Sequence, residues 1–450
     1  MKNTIYIVSL GCPKNLVDTE VMLGLLDEHG YLVVEDPAEA AVLLVNTCGF
    51  IQPAVEEAVD VILELAAYKQ DNPAAQLVVI GCMVQRYGEA LAEELPEVDV
   101  FLGLDELPHI INHIESSHHG PVVAVPDSST FLMDAQIPRK MATPFFRSFL
   151  KITEGCDNRC SYCMIPSIRG ALRSRTLDDL VAESRKLEQN GVRELTLIAQ
   201  DLTAYGDDLG EDTHLVSLLE KLLKLTRIPW FRLLYLYPST VPDALLHLLA
   251  QETRIVPYLD IPFQHASDNV LRRMNRRHGL QELDELVQSV QRIVPDCVLR
   301  TTMLVGFPGE TEEDIDILLD ALQRWQLDHV GVFQYQDEEG SPAEQLAHKI
   351  AEDVKQDRYE RVMELQAAIS KKRLQNYVGR EELVLVEGLS RESDLLLEGR
   401  TRFQAPDIDG CVYITSGQAN SGDIVTVRVT EAHTYDLVGE IVEQPRENSE

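Results

Sequence analysis

Six of the eight cysteines in this chain are spaced in ways that could bind metal. Cys156, Cys160 and Cys163 form a C-x3-C-x2-C motif within eight residues. Three thiolates this close together can hold a 4Fe–4S cluster and leave its fourth iron open to a small molecule. A zinc site is the alternative, but zinc usually takes four ligands, and no second cysteine pair lies nearby. The motif therefore favours an iron–sulfur cluster with one open iron.

A second set, Cys12, Cys48 and Cys82, is spread over the first part of the chain. Each of these cysteines follows a short apolar run that is typical of a buried strand. Ligands of open α/β sheets gather beyond the carboxyl ends of parallel strands, so the fold should bring the three thiols together. The alternative is three buried structural cysteines. Three cysteines at equivalent strand ends favour a second three-cysteine cluster, whereas the isolated Cys297 and Cys411 are predicted to be structural.

The pattern around the second set predicts a doubly wound parallel α/β domain over residues 1–117. Continuous apolar runs without polar alternation indicate strands buried on both faces, and a helical pattern follows each of them. The predicted strands cover 4–9, 42–46, 77–80 and 98–102, and the predicted helices cover 16–29, 53–67, 84–95 and 107–116. Residues 118–145 are interrupted by prolines and are predicted to be a linker.

Around the C-x3-C-x2-C motif, the alternation of strands and helices resumes over residues 146–378. Six βα units predict a partial (βα)6 barrel, because a complete eight-fold barrel needs about 250 residues. The predicted strands cover 149–153, 194–199, 231–236, 258–263, 298–305 and 330–335, and a long charged helix follows over 352–378. Short β runs with turn residues between them then predict a small antiparallel β-barrel over 379–446, with a polar disordered tail over 444–450.

Composition and charge exclude some classes of protein. The 450-residue chain has 45% hydrophobic and 25% charged residues, which is ordinary globular usage, and a net charge of −34. Such acidity argues against a nucleic-acid-binding protein and favours a basic partner. No apolar run reaches the 18 or more residues of a membrane span, and no signal peptide is evident. We therefore expect a cytoplasmic protein whose cysteines stay reduced.

The C-x3-C-x2-C motif after the first barrel strand resembles that of the radical S-adenosylmethionine superfamily. The chain as a whole resembles a methylthiotransferase, a family with an N-terminal three-cysteine domain, a radical core and a C-terminal TRAM domain. Residues 9–15, 168–175 and 262–268 are most similar to the branch that modifies an aspartate of ribosomal protein S twelve.

The resemblance implies an activity and its cofactors. The cluster on Cys156, Cys160 and Cys163 would bind S-adenosylmethionine, whose reductive cleavage yields a radical that removes hydrogen from the β-carbon of the aspartate. The cluster on Cys12, Cys48 and Cys82 would hold the sulfur, and a second S-adenosylmethionine would supply the methyl group. A reductant such as flavodoxin or ferredoxin would supply electrons.

Four other residues are candidates for binding S-adenosylmethionine. Gln200 and Thr203 follow the second barrel strand, where the superfamily places groups near the methionine amine; a solvated loop is the alternative. Gly306 begins a turn that could let backbone approach the nucleoside, although Thr311 could equally cap the next helix there. Arg175 belongs to a basic group with Arg169 and Arg173 that could bind a carboxylate of the cofactor or substrate, or form ordinary ion pairs. Tyr162 and Met164 are expected to shield the cluster.

Three other functions remain open at this point: a tRNA adenosine methylthiotransferase, an iron–sulfur sensor or electron carrier, and an RNA-binding module. The C-terminal region bears on the choice, since residues 380–450 contain six arginines, no lysine and fifteen acidic residues. A local charge of −9 should repel RNA phosphates and attract a basic ribosomal protein. We expect that partner to contact an acidic set on the C-terminal barrel: Asp407, Asp409, Asp423 and Glu431.

Overall fold

The computed structural model describes residues 3–116 and 120–442. The chain forms two six-stranded sheets and a five-stranded closed barrel, in that order along the sequence, with a two-stranded ribbon beside the second sheet. Among the described residues, no helix is both long and apolar enough to cross a membrane.

The first sheet is entirely parallel, with the strand order β2-β1-β3-β4-β5-β6. Valine, leucine and isoleucine fill its central strands, which are buried on both faces as the continuous apolar runs predict. Its elements are β1 (Thr4–Ser9), α1 (Pro13–Glu28), β2 (Leu32–Val33), β3 (Val42–Thr47), α2 (Gln52–Asp71), β4 (Gln76–Gly81), α3 (Cys82–Tyr87), α4 (Glu89–Glu94), β5 (Val100–Leu102), α5 (Ile110–Glu115) and β6 (Val122–Ala124).

Two features of this region differ from the prediction. The helix expected over 84–95 is split into α3 and α4 at Gly88, whose φ of +50° is left-handed. The segment predicted as a linker contributes β6 to the sheet and packs against α1. Arg139 of that segment donates from Nε to Glu20 of α1 at 2.9 Å and from Nη1 to Glu183 of the second domain. The segment is therefore a packed connection between the two sheets.

The second sheet is also parallel and remains open, with the order β7-β10-β11-β12-β13-β14. This is the expected six-stranded partial barrel. Its elements, with the ribbon β8–β9, are β7 (Arg147–Lys151), β8 (Thr153–Glu154), α6 (Ile165–Arg169), β9 (Arg173–Ser174), α7 (Leu177–Gln189), β10 (Glu194–Ile198), α8 (Leu215–Leu225), β11 (Trp230–Leu233), α9 (Asp243–Gln251), β12 (Ile255–Asp260), α10 (Asp268–Arg273), α11 (Leu280–Ile293), β13 (Val298–Val305), α12 (Glu312–Trp325), β14 (His329–Gln334) and α13 (Glu352–Leu374).

The two faces of the partial barrel are covered differently. On one face, strand residues such as Leu197 and Leu259 pack with the helices in a large apolar core. On the other face, Phe149 and Tyr258 belong to a core that also includes Val17 of α1 and Leu385 of the C-terminal barrel. The N-terminal and C-terminal regions therefore both cover the inner face of the open sheet.

The C-terminal barrel closes in the order β15-β16-β17-β19-β18. Its strands are β15 (Glu381–Leu389), β16 (Leu397–Thr401), β17 (Val412–Ser416), β18 (Ile424–Ala432) and β19 (Leu437–Ile441). The prediction of a purely antiparallel barrel was wrong in one respect: β17 and β19 pair in parallel. β18 follows β17 in sequence but does not pair with it. Instead, β18 pairs with β15 and β19, so β19 lies between β17 and β18 and closes the barrel. The predicted disorder over 444–450 lies outside the described residues.

Candidate functional site

The first sheet places Cys12, Cys48 and Cys82 at one edge. Cys12 lies just beyond β1 at the N-terminus of α1, Cys48 follows β3, and Cys82 is the first residue of α3 directly after β4. Because β1, β3 and β4 are neighbours in the sheet, their carboxyl ends are adjacent. The fold brings together three residues that are 36 and 34 positions apart, as the strand-end argument predicts.

Glycines let the three cysteine loops approach one another. Gly11 has a φ of +93°, and a Cβ there would lie 2.6 Å from Cβ and 3.1 Å from Sγ of Cys48. A Cβ on Gly49 would lie 2.6 Å from Cα of Met83, the residue after Cys82. Both distances are too short for any side chain, so only glycine permits this stacking of the loops.

The thiols of this first set differ in acidity. Burial opposes ionisation of Cys12, but Lys14, Arg169 and the backbone amides of Asn15 and Lys14 outweigh burial and lower its pKa. Burial raises the pKa of Cys82 to about 12 even though the Arg169 guanidinium favours its thiolate. The pKa of Cys82 is also raised by Cys48 and Cys12, which shows that the three sulfurs interact electrostatically.

Cys156, Cys160 and Cys163 lie in one loop between β8 and α6. The loop is bonded to the end of α10: the Ser161 hydroxyl donates to the Arg273 carbonyl at 2.8 Å, and the Asn275 amide donates to the Arg159 carbonyl at 2.6 Å. On the other side, the Cys156 N–H donates to the Gly170 carbonyl at 3.1 Å. These bonds fix the backbone on which the three thiols stand.

Burial affects the acidity of two thiols in the second set. It raises the pKa of Cys156 to about 11 and that of Cys163 to about 12. A cation lies beside the third thiol, since Arg276 donates to Sγ of Cys160 at 3.6 Å while its guanidinium stacks 4.2 Å from the centroid of the Tyr237 ring. In both sets a cation therefore lies beside a thiol, Arg169 beside Cys82 and Arg276 beside Cys160, and a neighbouring cation favours the thiolate form that binds metal.

A buried network of charges connects Cys82 to β8, the strand that leads into the C-x3-C-x2-C loop. Arg169, at the end of α6, donates to Sγ of Cys82 at 3.2 Å and to Asp18 of α1 at 2.9 Å. Its other nitrogen donates to both oxygens of Glu154, at 3.1 and 3.0 Å. Lys151 forms ion pairs with the same Asp18 and Glu154. Each of these side chains is at most 5% exposed.

Apolar packing reinforces this junction. Met164, directly after Cys163, shares a buried cluster with Cys82, Leu104 and Ile168. Met164 therefore packs against a cysteine of the other set, and its shielding of a cluster stays a prediction. Tyr162 packs instead beside Phe307 and Met274.

Gln200 and Thr203 lie near the second set, but both side chains already form hydrogen bonds within the protein. The Gln200 amide donates to Glu154 at 3.3 Å, and its buried Oε1 has no hydrogen-bond partner. Between them, Asp201 accepts from the Asn158 amide at 2.6 Å and from the Thr203 hydroxyl at 2.6 Å. Asn158 belongs to the cysteine loop, so this segment positions the motif, and Gln200 retains a free acceptor beside it.

Gly306 directly follows β13 and begins a turn that is held by several contacts. Its N–H donates to Glu310 at 2.8 Å, its φ is +76°, and a Cβ there would lie 2.4 Å from the Lys355 side chain. Thr311 accepts from the Asp314 N–H at the start of α12, so the alternative of a capped strand-to-helix turn is confirmed. The glycine is required by close packing of Lys355.

The basic group at 169–175 does not act as one unit. Arg175 was predicted to contact S-adenosylmethionine, but its side chain is 1% exposed and pairs with Asp179 at 2.7 Å and Glu183 at 2.5 Å of α7. That prediction was wrong, because those carboxylates hold the guanidinium under α7. Arg173 donates to the Ala171 and Arg169 carbonyls. Only Arg169 reaches a cysteine.

The acidic set of the C-terminal barrel is also divided. The prediction that Asp409 contacts a partner was wrong: its side chain is 2% exposed and accepts from the Tyr258 hydroxyl at 2.7 Å, at the junction with the partial barrel. Asp407 pairs with Arg147 at 2.8 Å. Asp423 and Glu431 remain exposed.

The two isolated cysteines are separate from both sets, with Cys297 in the apolar core and Cys411 in the C-terminal barrel.

Sequence reasoning missed Lys14, Asp18, Lys151 and Glu154. One signal was available, because Glu154 directly precedes Gly155 and the first cysteine of the motif. The others lie on α1 and β7 and become neighbours only when these two elements pack together.

The donor types of both sets suit iron–sulfur clusters, since thiolates are the usual protein ligands of such clusters. Within residues 3–116 and 120–442, no three His, Cys, Asp or Glu side chains are already drawn together as a complete metal site. The fit therefore rests on the three-thiol composition, the adjacent backbone positions and the nearby cations.

Family comparisons match three parts of the chain. Residues 4–103 match an uncharacterized protein family, UPF0004; residues 150–322 match the radical SAM superfamily; and residues 378–442 match the TRAM domain. Among solved structures, the fold resembles the radical S-adenosylmethionine methyltransferase TsrM from Kitasatospora setae. The TM-score is 0.55 at 16% identity, over 76% of this chain and 77% of that one.

Curated relatives match almost the whole length. The chain is 53% identical to the ribosomal protein uS12 methylthiotransferase RimO of Desulfotalea psychrophila, over 97% of this chain and 99% of that protein. It is 48% identical to the proteins of the same name from Geotalea uraniireducens and Geobacter sulfurreducens, each over 98% of this chain and 99% of the relative. With both cysteine sets in place, the chain belongs to the RimO family of radical S-adenosylmethionine methylthiotransferases.

Proposed function

We propose that this enzyme inserts a methylthio group at the β-carbon of an aspartate in ribosomal protein uS12, consuming two molecules of S-adenosylmethionine and using two 4Fe–4S clusters. The observation that carries the proposal is a buried network in which Arg169 of the radical core reaches Cys82 of the N-terminal set and binds Glu154, two residues before the C-x3-C-x2-C motif. A sensor or electron carrier needs neither two such sets nor a partial barrel between them.

The two sets have separate roles in this proposal. Cys156, Cys160 and Cys163 would hold the cluster that binds S-adenosylmethionine, and when bound that cluster would supply the reducing chemistry for cleavage of the cofactor. Cys12, Cys48 and Cys82 hold the cluster that carries the sulfur. Arg169 and Lys151 fix the junction between them by pairing with Asp18 and Glu154. The buried packing around Met164 excludes water from this junction.

This division corresponds to four parts of the chain: an N-terminal methylthiotransferase domain over 1–117, a connection over 118–145, a radical core over 146–378 and a TRAM domain over 379–446. Gln200, with a buried oxygen that lacks a partner, is our candidate for a group that accepts a hydrogen bond from S-adenosylmethionine. We place the enzyme in the cytoplasm, with a flavodoxin or ferredoxin as reductant.

The TRAM domain is proposed to bind the basic protein substrate. The charge of −9 over residues 380–450 and the exposed Asp423 and Glu431 support attraction of a basic surface and disfavour direct nucleic-acid binding. We expect the full-length double variant Asp423→Asn, Glu431→Gln to bind uS12 more weakly, with a smaller dependence on salt, than the wild type. Equal binding by both proteins, or tight salt-dependent tRNA binding by the wild type, would contradict this assignment.

The function itself is tested by mass spectrometry of uS12 from cells with and without this gene. The expected result is a gain of one methylthio group on one aspartate, which a gene carrying Cys160→Ala fails to restore. A gene carrying Cys297→Ser is the matched control, because that cysteine lies in the apolar core away from both sets and its loss should leave modification in place. Unmodified uS12 together with methylthiolated tRNA adenosine would instead identify the tRNA enzyme.

A further inference from the structure

Lys14 lies between the two catalytic regions. It is the second residue of α1, two positions after Cys12, and only 8% of its surface is exposed. Its side chain crosses to the partial barrel, where Nζ lies 3.4 Å from the centroid of the Tyr235 ring. Tyr235 follows β11 of the radical core. The ammonium group therefore sits on the inner side of the junction, beside the N-terminal cysteine set.

This buried ammonium has no carboxylate partner at ion-pair distance among the described residues. No hydrogen bond and no ion pair within 4.0 Å involves Lys14 Nζ in residues 3–116 and 120–442. Burial lowers the pKa of Lys14, and the groups that favour its charged form from farther away are the Cys12 thiolate and then the carboxylates of Asp260 and Glu154. Asp260 already accepts from Arg300 at 2.8 Å and from the Tyr235 N–H at 3.2 Å, and Glu154 is bound by Lys151 and Arg169.

The neighbouring cations behave differently, which makes Lys14 distinctive. Lys151, Arg169 and Arg300 each pair with at least one buried carboxylate. A buried cation is costly unless it is paired, so an unpaired one between two cysteine sets needs a reason. Lys14 retains 8% exposure, and its Nζ is not among the fully enclosed polar atoms without a partner, so the ammonium is not completely sealed from solvent.

The tyrosine beneath the ammonium has an unusual backbone conformation. Tyr235 has a φ of +68°, a left-handed conformation that is uncommon for a bulky residue and is retained at functional sites. Its N–H is held by Asp260, which keeps the ring under Lys14. The cation–π contact orients the ammonium without using its three N–H donors, and these remain free for an anion.

We propose that Lys14 binds the side-chain carboxylate of the substrate aspartate and thereby selects aspartate as the residue to be modified. This inference rests on the proposed function. In aspartate the β-carbon is bonded directly to the carboxyl carbon, so anchoring the carboxylate at Lys14 holds the reacting carbon one bond away. Because Lys14 lies only two positions after Cys12, the same anchor places that carbon beside the set that carries the sulfur.

The test compares two ligands and four full-length proteins. The ligands are uS12 and uS12 with asparagine at the modified position, which removes only the negative charge. The proteins are the wild type, Lys14→Met, Lys14→Arg and a control, Lys69→Gln. Lys69 is a mostly buried lysine of α2 in the same domain, but it is paired with Asp99 at 2.7 Å. Affinities are measured by titration without turnover.

We expect the wild type and Lys69→Gln to bind the aspartate form about tenfold to a hundredfold more tightly than the asparagine form, the range for a charge-assisted hydrogen bond. Lys14→Met should bind both forms equally, and Lys14→Arg should retain a preference for aspartate. The wild-type comparison of the two ligands needs no variant, so the proposal remains testable if Lys14→Met folds poorly.

The proposal would be overturned by the absence of a preference for aspartate in the wild type, or by an unchanged preference in Lys14→Met. A loss of S-adenosylmethionine affinity in Lys14→Met, with the aspartate preference intact, would assign the ammonium to the cofactor carboxylate instead and also overturn it. Failure of the proposed function is distinguishable, because the wild type would then leave uS12 unmodified.

Discussion

The two cysteine sets are built in opposite ways. Cys156, Cys160 and Cys163 lie in one eight-residue loop that is bonded to the end of α10, whereas Cys12, Cys48 and Cys82 come from three strand ends of one sheet. Their surroundings differ as well. Lys14 and Arg169 lower the pKa of Cys12 against the effect of burial, while burial raises the pKa of Cys156 and Cys163. A local motif specifies one site, and a whole sheet specifies the other.

The largest effect should come from breaking the local set. Replacing Cys156, Cys160 and Cys163 with Ala removes every thiolate ligand of the cluster that binds S-adenosylmethionine, so both 5′-deoxyadenosine formation and methylthiolation should fall to background. Iron per chain should fall by about half, because the other set lies on a separate sheet. Normal nucleoside production by this variant would refute the assignment of the motif.

The converse variant separates the two roles. Replacing Cys12, Cys48 and Cys82 with Ala should abolish methylthiolation but leave reductive cleavage of S-adenosylmethionine in place, because the core motif and its bonds to α10 are untouched. The measurement is the ratio of 5′-deoxyadenosine to modified uS12, with Cys297→Ser as the control. Sulfur insertion at the normal rate would mean that these cysteines are only structural.

A third variant tests the junction between the sets. Arg169→Met leaves Asp18 and Glu154 with fewer partners in a buried site, and removing one member of such a network typically costs 3–5 kcal/mol of unfolding free energy. Denaturant unfolding measures this loss. Arg361→Met is the control, because its pairs with Glu312 and Asp316 are exposed and worth about 0.2–1 kcal/mol. Similar losses in both variants would show that the network does not stabilise the junction.

The smallest effect concerns the other junction, between the radical core and the TRAM domain. Burial raises the pKa of Glu194, but Arg400 and Arg232 outweigh it and lower the pKa from 4.5 to about 2. Between these values the unfolded chain binds the proton and the folded chain does not. This stabilisation is therefore complete above about pH 4.5 and is lost as the pH falls toward 2, an effect of about 3 kcal/mol.

Urea unfolding at pH 6 and at pH 3 measures that dependence. Glu194→Gln should be less stable than the wild type at pH 6 and should lose less of its remaining stability on acidification. Glu381→Gln, which removes an exposed pair with Arg428, should keep the pH profile of the wild type. An unchanged profile in Glu194→Gln would assign the acid sensitivity to other groups, such as Glu154, whose pKa is also lowered to about 2.

Most of the strands could be predicted because their apolar runs are continuous. The prediction matched β1 and β13 to the residue. It missed β2 and β6, which have two and three residues and are too short to show a pattern. The parallel pairing of β17 with β19 was missed for another reason, since pairing direction depends on the path of the chain around the barrel.

The sequence by itself determined the chemistry that the chain can support. The C-x3-C-x2-C motif lies within one loop, so it can be recognised without knowledge of the rest of the fold. The three strand-end cysteines could be placed together because parallel strands end at one edge of a sheet. Sequence composition likewise indicated the acidic C-terminal region, from which we predict a basic partner.

Only the tertiary structure decided which charges take part. Arg169, Arg173 and Arg175 look equivalent in sequence, yet one reaches Cys82, one binds backbone carbonyls and one lies under α7. Likewise, Asp409 is buried while Asp423 is exposed. The reason is physical: the energy of a charge depends on its burial and on its partners, and both are set by elements far away in the chain. Lys14 acquired its position, and its unpaired ammonium, only when α1 packed against the radical core.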